Sequence, residues 1–225
     1  MKNEILFVWD FHGTLEKGNV YAVQELVNLV LKDFGTNKEI TVQEAIDWYG
    51  LSWFDYFKLA VAEGNQQLWQ SMVDKVLSLQ QQSWNNIKNY IKVRDFAEEV
   101  LQQIQNEGHQ NILLSNTRLE QIRMFTDLLD LTHYFNEIIG VDTHRNSRIN
   151  NEIHNVKSEA LTNFLKGKNY GKIIMVGDKE NDMRAGKSCG ATTYLLTDQK
   201  IDKGSKTETD HIISDLREVL KELEF

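Results

Sequence analysis

Four stretches of the sequence carry side chains able to attack an electrophile, hold a cation or neutralise an anion. They are Asp10-Phe11-His12-Gly13-Thr14-Leu15, Ser115-Asn116-Thr117, Lys157, and Gly177-Asp178-Lys179-Glu180-Asn181-Asp182. The first, second and fourth each follow an apolar run directly. An aspartate beside a glycine turn acts as a nucleophile, as a metal ligand or simply as a turn former, since Asp is common in turns for its own reasons. Two of them, Asp10 and Asp178, at the ends of different runs favour a chemical role, because acidic groups gathered in one crevice repel unless a hard cation bridges them. Mg²⁺ takes one or two carboxylates, keeps waters and leaves room for phosphate oxygens, which suits this pair. Ser115 and the backbone N–H of Asn116 are candidates for holding phosphate oxygens. Lys157, the only lysine between Lys92 and Lys166, is the candidate for balancing the charge of phosphate and nucleophile.

These residues need a scaffold that brings strand ends together. Apolar runs at Ile5–Trp9, Ile112–Leu114, Ile138–Val141, Ile173–Val176 and Thr193–Leu196 are continuous rather than alternating, as expected of strands buried on both faces of a parallel sheet. Helical patterns at Phe96–Gln105, Glu120–Leu129, Ser158–Leu165 and Asp182–Ser188 lie between them, and Lys157 is expected to open the third of these. This alternation predicts a doubly wound, Rossmann-like α/β fold whose ligands sit at the carboxyl ends of the strands. An edge strand at Ile212–Ile213 and a closing helix over Asp215–Leu223 complete it. The segment from Glu16 to Ile91 breaks the rhythm: its patterns, Val20–Phe34, Thr41–Trp48, Trp53–Ala62 and Gln67–Tyr90, are all helical and are separated by Gly35, Gly50 and Gly64. The expected organisation is a core of residues 1–15 and 92–225 with an inserted α-helical subdomain over 16–91. Trp48, Trp53, Trp69 and Trp84 are expected to pack that insert.

The bulk properties narrow the partners. The 225 residues, 41% hydrophobic and 26% charged, suffice for a large core without disulfides, and Cys189 is the only cysteine. A cytoplasmic protein is expected. The first ten residues are too short and acidic for a signal peptide, and no stretch approaches the ~18 apolar residues of a membrane span. A net charge of −8 offers no general attraction to nucleic acid or anionic membranes, so a small molecule is the expected partner. Oligomeric state is not legible. With no proline in the sequence, element boundaries rest on glycines and changes of pattern.

The four stretches, in their order, resemble the four motifs of the haloacid dehalogenase superfamily: DxDGT, a Ser or Thr after a hydrophobic strand, a Lys, and GDxxxD. Asp10 to Thr14, Ser115, Lys157 and Gly177-Asp178 with Asp182 match them, and the long helical segment between the first and second motifs matches the family's cap. The resemblance implies a phosphatase in which Asp10 forms an aspartyl-phosphate that water then hydrolyses. It implies Mg²⁺ held by Asp10, the backbone carbonyl of His12 and Asp178, with Asp182 acting directly or through water. Ser115 and Lys157 would grip the transferring phosphoryl group, with Thr14 and Asn116 as supporting contacts, and the cap would close over a small phosphorylated metabolite.

One position departs from the pattern. Where these phosphatases carry a second aspartate, which protonates the leaving group and then activates water, this chain has His12. Imidazole is a competent general acid and base, so His12 can take over that step. A second reading is phosphonate C–P cleavage, which also lacks that aspartate but needs a lysine from the cap. A third is a catalytically impaired protein that binds a phosphorylated ligand or a protein partner, since losing a general acid costs ~10²–10⁴-fold. Simpler roles also stand beside the chemical ones: Ser115 as an N-cap for the helix near Thr117, Lys157 as a solvated side chain, Cys189 as a small core residue.

Overall fold

The computed structural model describes residues 4–82, 88–141, 150–197 and 208–224. Its centre is a six-stranded parallel sheet. In chain order the strands are β1 (Ile5–Trp9), β2 (Glu16–Lys17), β3 (Lys92–Val93), β4 (Gln110–Ser115), β5 (Glu137–Gly140), β6 (Lys172–Gly177), β7 (Thr192–Leu196) and β8 (His211–Ile213). The sheet runs β5-β4-β1-β6-β7-β8, and β2 and β3 form a separate two-stranded pair. The expected α/β fold class and every expected strand of the sheet are therefore present.

β1 lies between β4 and β6, with Trp9 level with Leu113 on one side and Val176 on the other. That position explains its unbroken apolar sequence, since all five of its residues are buried. On one face Leu6 and Val8 join Ile112, Leu114 and Met175 beneath Leu161 and Met183 of the flanking helices. On the other, Phe7 stacks with Trp9. The Trp9 Nε1–H donates to Asn111 Oδ1 (2.9 Å), and Asn111 Nδ2 donates to the Leu101 carbonyl (3.0 Å). A polar side chain deep in this face is tolerated because both ends of its amide are satisfied.

The chain divides into two compact units, one built from Met1–Glu16, Val93–Asp142 and Ile149–Phe225, the other containing Lys17–Lys92. The second unit is helical: Asn19–Asp33, Val42–Asp47, Trp53–Ala60 and Gln66–Gln82. Leu26, Val27, Val30, Phe57, Met72 and Val76 are buried in it. The tryptophans pack as expected: Trp53 is buried, Trp48 meets Tyr56 edge-on, and Trp69 donates to the Val61 carbonyl (2.9 Å). Trp84 lies outside the described residues.

Three expectations need correction. The pattern Gln67–Tyr90 is not one helix: the helix runs Gln66–Gln82, and residues 88–90 form a turn. The closing segment, Leu216–Glu224, is a 3-10 helix rather than an α-helix. Its buried residues Leu216, Val219 and Glu222 recur every third position, which is the period of that tighter helix. The helix expected to begin at Ser158 starts instead at Asn150, so Lys157 sits inside it.

Candidate active site

Asp10 follows β1 and continues its ladder, its N–H donating to the Val176 carbonyl (2.9 Å). The chain then turns sharply. The N–H groups of Thr14, Leu15 and Glu16 all reach the Phe11 carbonyl, within 3.2 Å. Gly13 has φ +83°, and a Cβ there would lie 2.4 Å from Asp178 Oδ2. The glycine thus serves both the backbone geometry and the close approach of the Asp178 carboxylate. Substituting Gly13→Ala is expected to cost on the order of 1–2 kcal/mol from the left-handed conformation alone. It should also push Asp178 off its position, so activity should fall further than the melting temperature; a variant with wild-type turnover would show that this approach is dispensable.

Asp178 follows β6, and Asp182 lies in the first turn of the helix Glu180–Ser188. Gly177 makes room for Asp182, whose Cβ and Oδ2 would lie 2.5 and 2.6 Å from a Cβ added there. One carboxylate oxygen from each of Asp10, Asp178 and Asp182 falls within 4.8 Å of the others.

Lys157 enters this cluster from the helix Asn150–Leu165. It is 0% exposed, and its Nζ donates to Asp10 Oδ1 (2.7 Å) and Asp182 Oδ1 (2.5 Å). The solvated-lysine reading is thereby overturned. Burial pulls its ammonium down, but the two aspartates outweigh this and hold it charged. Burial, then the Asp10 charge, pushes Asp178 well above the usual carboxylate range, against the pull of Lys179. Burial likewise raises Asp182 to about 6 despite the opposing Lys157. Asp182 is fully engaged, its Oδ2 accepting the Lys179 N–H (3.2 Å). Thr14 Oγ1 donates to Asp10 Oδ2 at 3.4 Å.

Ser115 ends β4, beside β1, and is buried; its Oγ accepts the Thr117 N–H (3.2 Å) within its own turn rather than bonding the acidic cluster. It is not an N-cap, since the helix begins at Leu119 with Arg118 preceding it. Asn116 is half-buried in the same turn. Gly140 lets this turn lie close to β5, because a Cβ there would meet the Thr117 carbonyl and the Leu119 N–H at 2.5 Å.

Two residues near the site were not singled out from sequence as chemical. Arg94 donates from Nη2 to the Gly13 carbonyl (2.7 Å) and from its backbone N–H to the Leu15 carbonyl (2.9 Å), clamping the turn from both sides. Glu16 is buried and its Oε1 pairs with His12 Nδ1 at 2.9 Å. The signals were a cation just after the helical segment and a carboxylate four residues after His12. Neither has meaning without the turn's shape.

The family model of haloacid dehalogenase-like hydrolases matches residues 7–196. A provisionally named pyrophosphatase, PpaX, of Caldanaerobacter subterraneus subsp. tengcongensis is 21% identical, over 95% of this chain and 92% of its own length. A phosphoglycolate phosphatase of Aliivibrio fischeri is 22% identical, over 85% and 83%. Among solved structures, a predicted phosphoglycolate phosphatase from Haemophilus somnus 129PT superposes with a TM-score of 0.77 at 20% identity, covering 98% of each chain. With the parallel sheet, the strand-end carboxylates and the lysine all in place, the match over most of the sequence identifies this chain as a member of the haloacid dehalogenase-like hydrolase family.

Proposed function

We propose that this protein hydrolyses small phosphate monoesters, with Mg²⁺, through an aspartyl-phosphate on Asp10. The observation that carries the reading is the buried Lys157 bound to Asp10 and Asp182, with Asp178 closing a three-carboxylate cluster at the strand ends. A buried lysine and hard oxygen donors together make a receptor for a phosphate and a divalent cation.

The donor set fits Mg²⁺. Asp178 and Asp182 are both raised by burial and by the charge of Asp10, a penalty that a cation would remove. Asp10, Asp178 and the His12 carbonyl would hold it, with Asp182 engaged through water because both its oxygens are already bonded. When bound, Mg²⁺ supplies positive charge against the phosphoryl oxygens. Asp10 attacks phosphorus with the oxygen that Lys157 does not hold, while Thr14 orients it. Lys157, kept charged, neutralises the carboxylate and the phosphoryl group together. Ser115 and Asn116, at the end of the adjacent strand, take phosphoryl oxygens, and His12 serves as acid for the leaving oxygen and then as base for water.

The names of the relatives make pyrophosphate and phosphoglycolate the first substrates to try. Assayed with those two, an aryl phosphate and sugar phosphates, the protein is expected to release phosphate with Mg²⁺ and not with chelator. Silence on the whole panel would overturn the proposal.

The raised carboxylates also predict how metal and pH interact. The folded, chelator-treated protein keeps protons on Asp178 and Asp182 that the unfolded chain has already released. Its stability therefore falls as pH rises from the ordinary carboxylate value of about 4 through the Asp182 value of about 6. Mg²⁺ binds the ionised carboxylates and reverses that loss, so it should raise the melting temperature clearly at pH 8 and little at pH 5. Equal shifts at both pH values would argue against this site.

A further inference from the structure

Glu16 is a carboxylate buried beside the catalytic turn, and the mechanism above does not use it. Its Oε1 accepts the Gly13 N–H (3.2 Å) and lies 2.9 Å from His12 Nδ1. We propose that Glu16 is a positioning residue that fixes the tautomer and direction of the His12 imidazole, so that Nε2 serves the leaving group and then water. The proposal rests on the phosphatase reading and adds a second member to its acid/base machinery.

Oε1 already accepts one N–H, so Nδ1 faces it as a donor, which assigns the neutral ring's proton to Nδ1 and its lone pair to Nε2. Two rings hold the imidazole edge-on, Phe11 at 5.1 Å and 79° and Phe125 at 4.9 Å and 89°. With Nδ1 held and both flanks packed, rotation about the side chain is blocked. Among the described residues His12 makes no other hydrogen bond. Burying a carboxylate is costly unless its partners need it, and here those partners include the Gly13 N–H and the His12 ring.

The acid step uses the imidazolium, protonated at both nitrogens: as the Asp10 oxygen bonds to phosphorus and the P–O(leaving) bond breaks, Nε2–H passes its proton to the leaving oxygen, releasing the alcohol and leaving the neutral Nδ1–H ring. Nε2 then takes a proton from the water that attacks the phosphorus of the aspartyl-phosphate, releasing phosphate and the Asp10 carboxylate. Glu16 keeps the Nδ1–H bond throughout.

Leaving-group dependence tests this. A poor, alkyl leaving group needs the proton; a good, aryl one hardly does. Glu16→Ala is expected to lower kcat on an alkyl phosphate by about 10²-fold, the scale of a misplaced catalytic group. On p-nitrophenyl phosphate the loss should stay within a few-fold and KM should be nearly unchanged, the same split as His12→Ala. Glu16→Gln, which keeps an acceptor oxygen, should restore most of the alkyl activity. Equal losses on both esters, or none, would overturn the positioning role while leaving the phosphatase reading intact. Independently of turnover, long-range ¹H–¹⁵N spectra should show His12 protonated at Nδ1 in the wild type and mixed in Glu16→Ala. A wild-type Nε2–H tautomer overturns the proposal, whereas a wild type inactive on every ester overturns the phosphatase reading and leaves the pairing to be decided by the spectra.

Discussion

Asp10→Asn is expected to remove phosphate-ester turnover by at least ~10³-fold, since an amide cannot form the acyl-phosphate that divides the reaction into two easier displacements. The change is nearly isosteric, so the turn, the Gly13 approach and the Lys157–Asp182 bond should persist. Two effects on stability oppose each other. Lys157 loses one ionic partner, while Asp178 and Asp182 lose the neighbouring charge that helps push both of them up. The net change should be small, which makes the variant a clean test. Acid quenching with a radiolabelled ester should trap label on the wild type and none on Asp10→Asn. Trapped label or more than a small fraction of wild-type activity in the variant would move the nucleophile elsewhere.

Lys157→Met should have the largest effect on stability. The ammonium is fully buried between Asp10 and Asp182, and removing it leaves three carboxylates gathered within 4.8 Å, with only the half-exposed Lys179, 3.7 Å from Asp178, paired with them among the described residues. Breaking a buried ion pair from one side costs about 3–5 kcal/mol, chiefly because the surviving charges stay desolvated. Urea unfolding in chelator near neutral pH should show that loss. It should shrink as pH falls, because Asp182, raised to about 6 even with Lys157 pulling it down, is raised further without that lysine and takes up its proton more readily, and it should shrink again when Mg²⁺ is added. Turnover should fall by about 10² or more, because the transferring phosphoryl group loses its fixed positive partner. A variant as stable as the wild type in chelator at neutral pH would mean that the ion pair contributes nothing.

The parts of this molecule that could be read from sequence share a physical reason. A strand buried on both faces has to be apolar throughout, so β1, β4, β6 and β7 announced themselves, and their ends gave Asp10, Ser115 and Asp178. The six-stranded parallel sheet bears out the fold class, and the family match bears out the hydrolase family. The start of the Lys157 helix was misplaced because Asn150-Asn151-Glu152-Ile153-His154-Asn155-Val156 has no apolar period and no proline or glycine to mark an edge. The burial of Lys157 followed from a partner 147 residues away, a distance that no local pattern spans. Arg94 was illegible for a different reason: its targets are the carbonyl of Gly13 and the carbonyl of Leu15, and backbone acceptors leave no mark in residue types. The His12–Glu16 spacing was visible, yet a separation of four usually signals a helix, and here it arises in a turn.

The position of β1 bears on how the protein comes to exist. Leu6 pairs with Gln110 and Ile5 with Lys172, so β1 gains its first neighbour only after about a hundred further residues and its second only when β6 follows. Its five apolar residues and their unpaired backbone must wait through that interval, during which the segment Lys17–Lys92 can gather its helices from near-neighbour contacts. Sheet formation is then governed by long-range closure, which is slow and leaves a sticky, strand-forming segment exposed. Refolding should accordingly show early helix formation followed by a slower phase in which Trp9 becomes shielded, and a holdase chaperone arriving during synthesis should find its target at Ile5–Trp9.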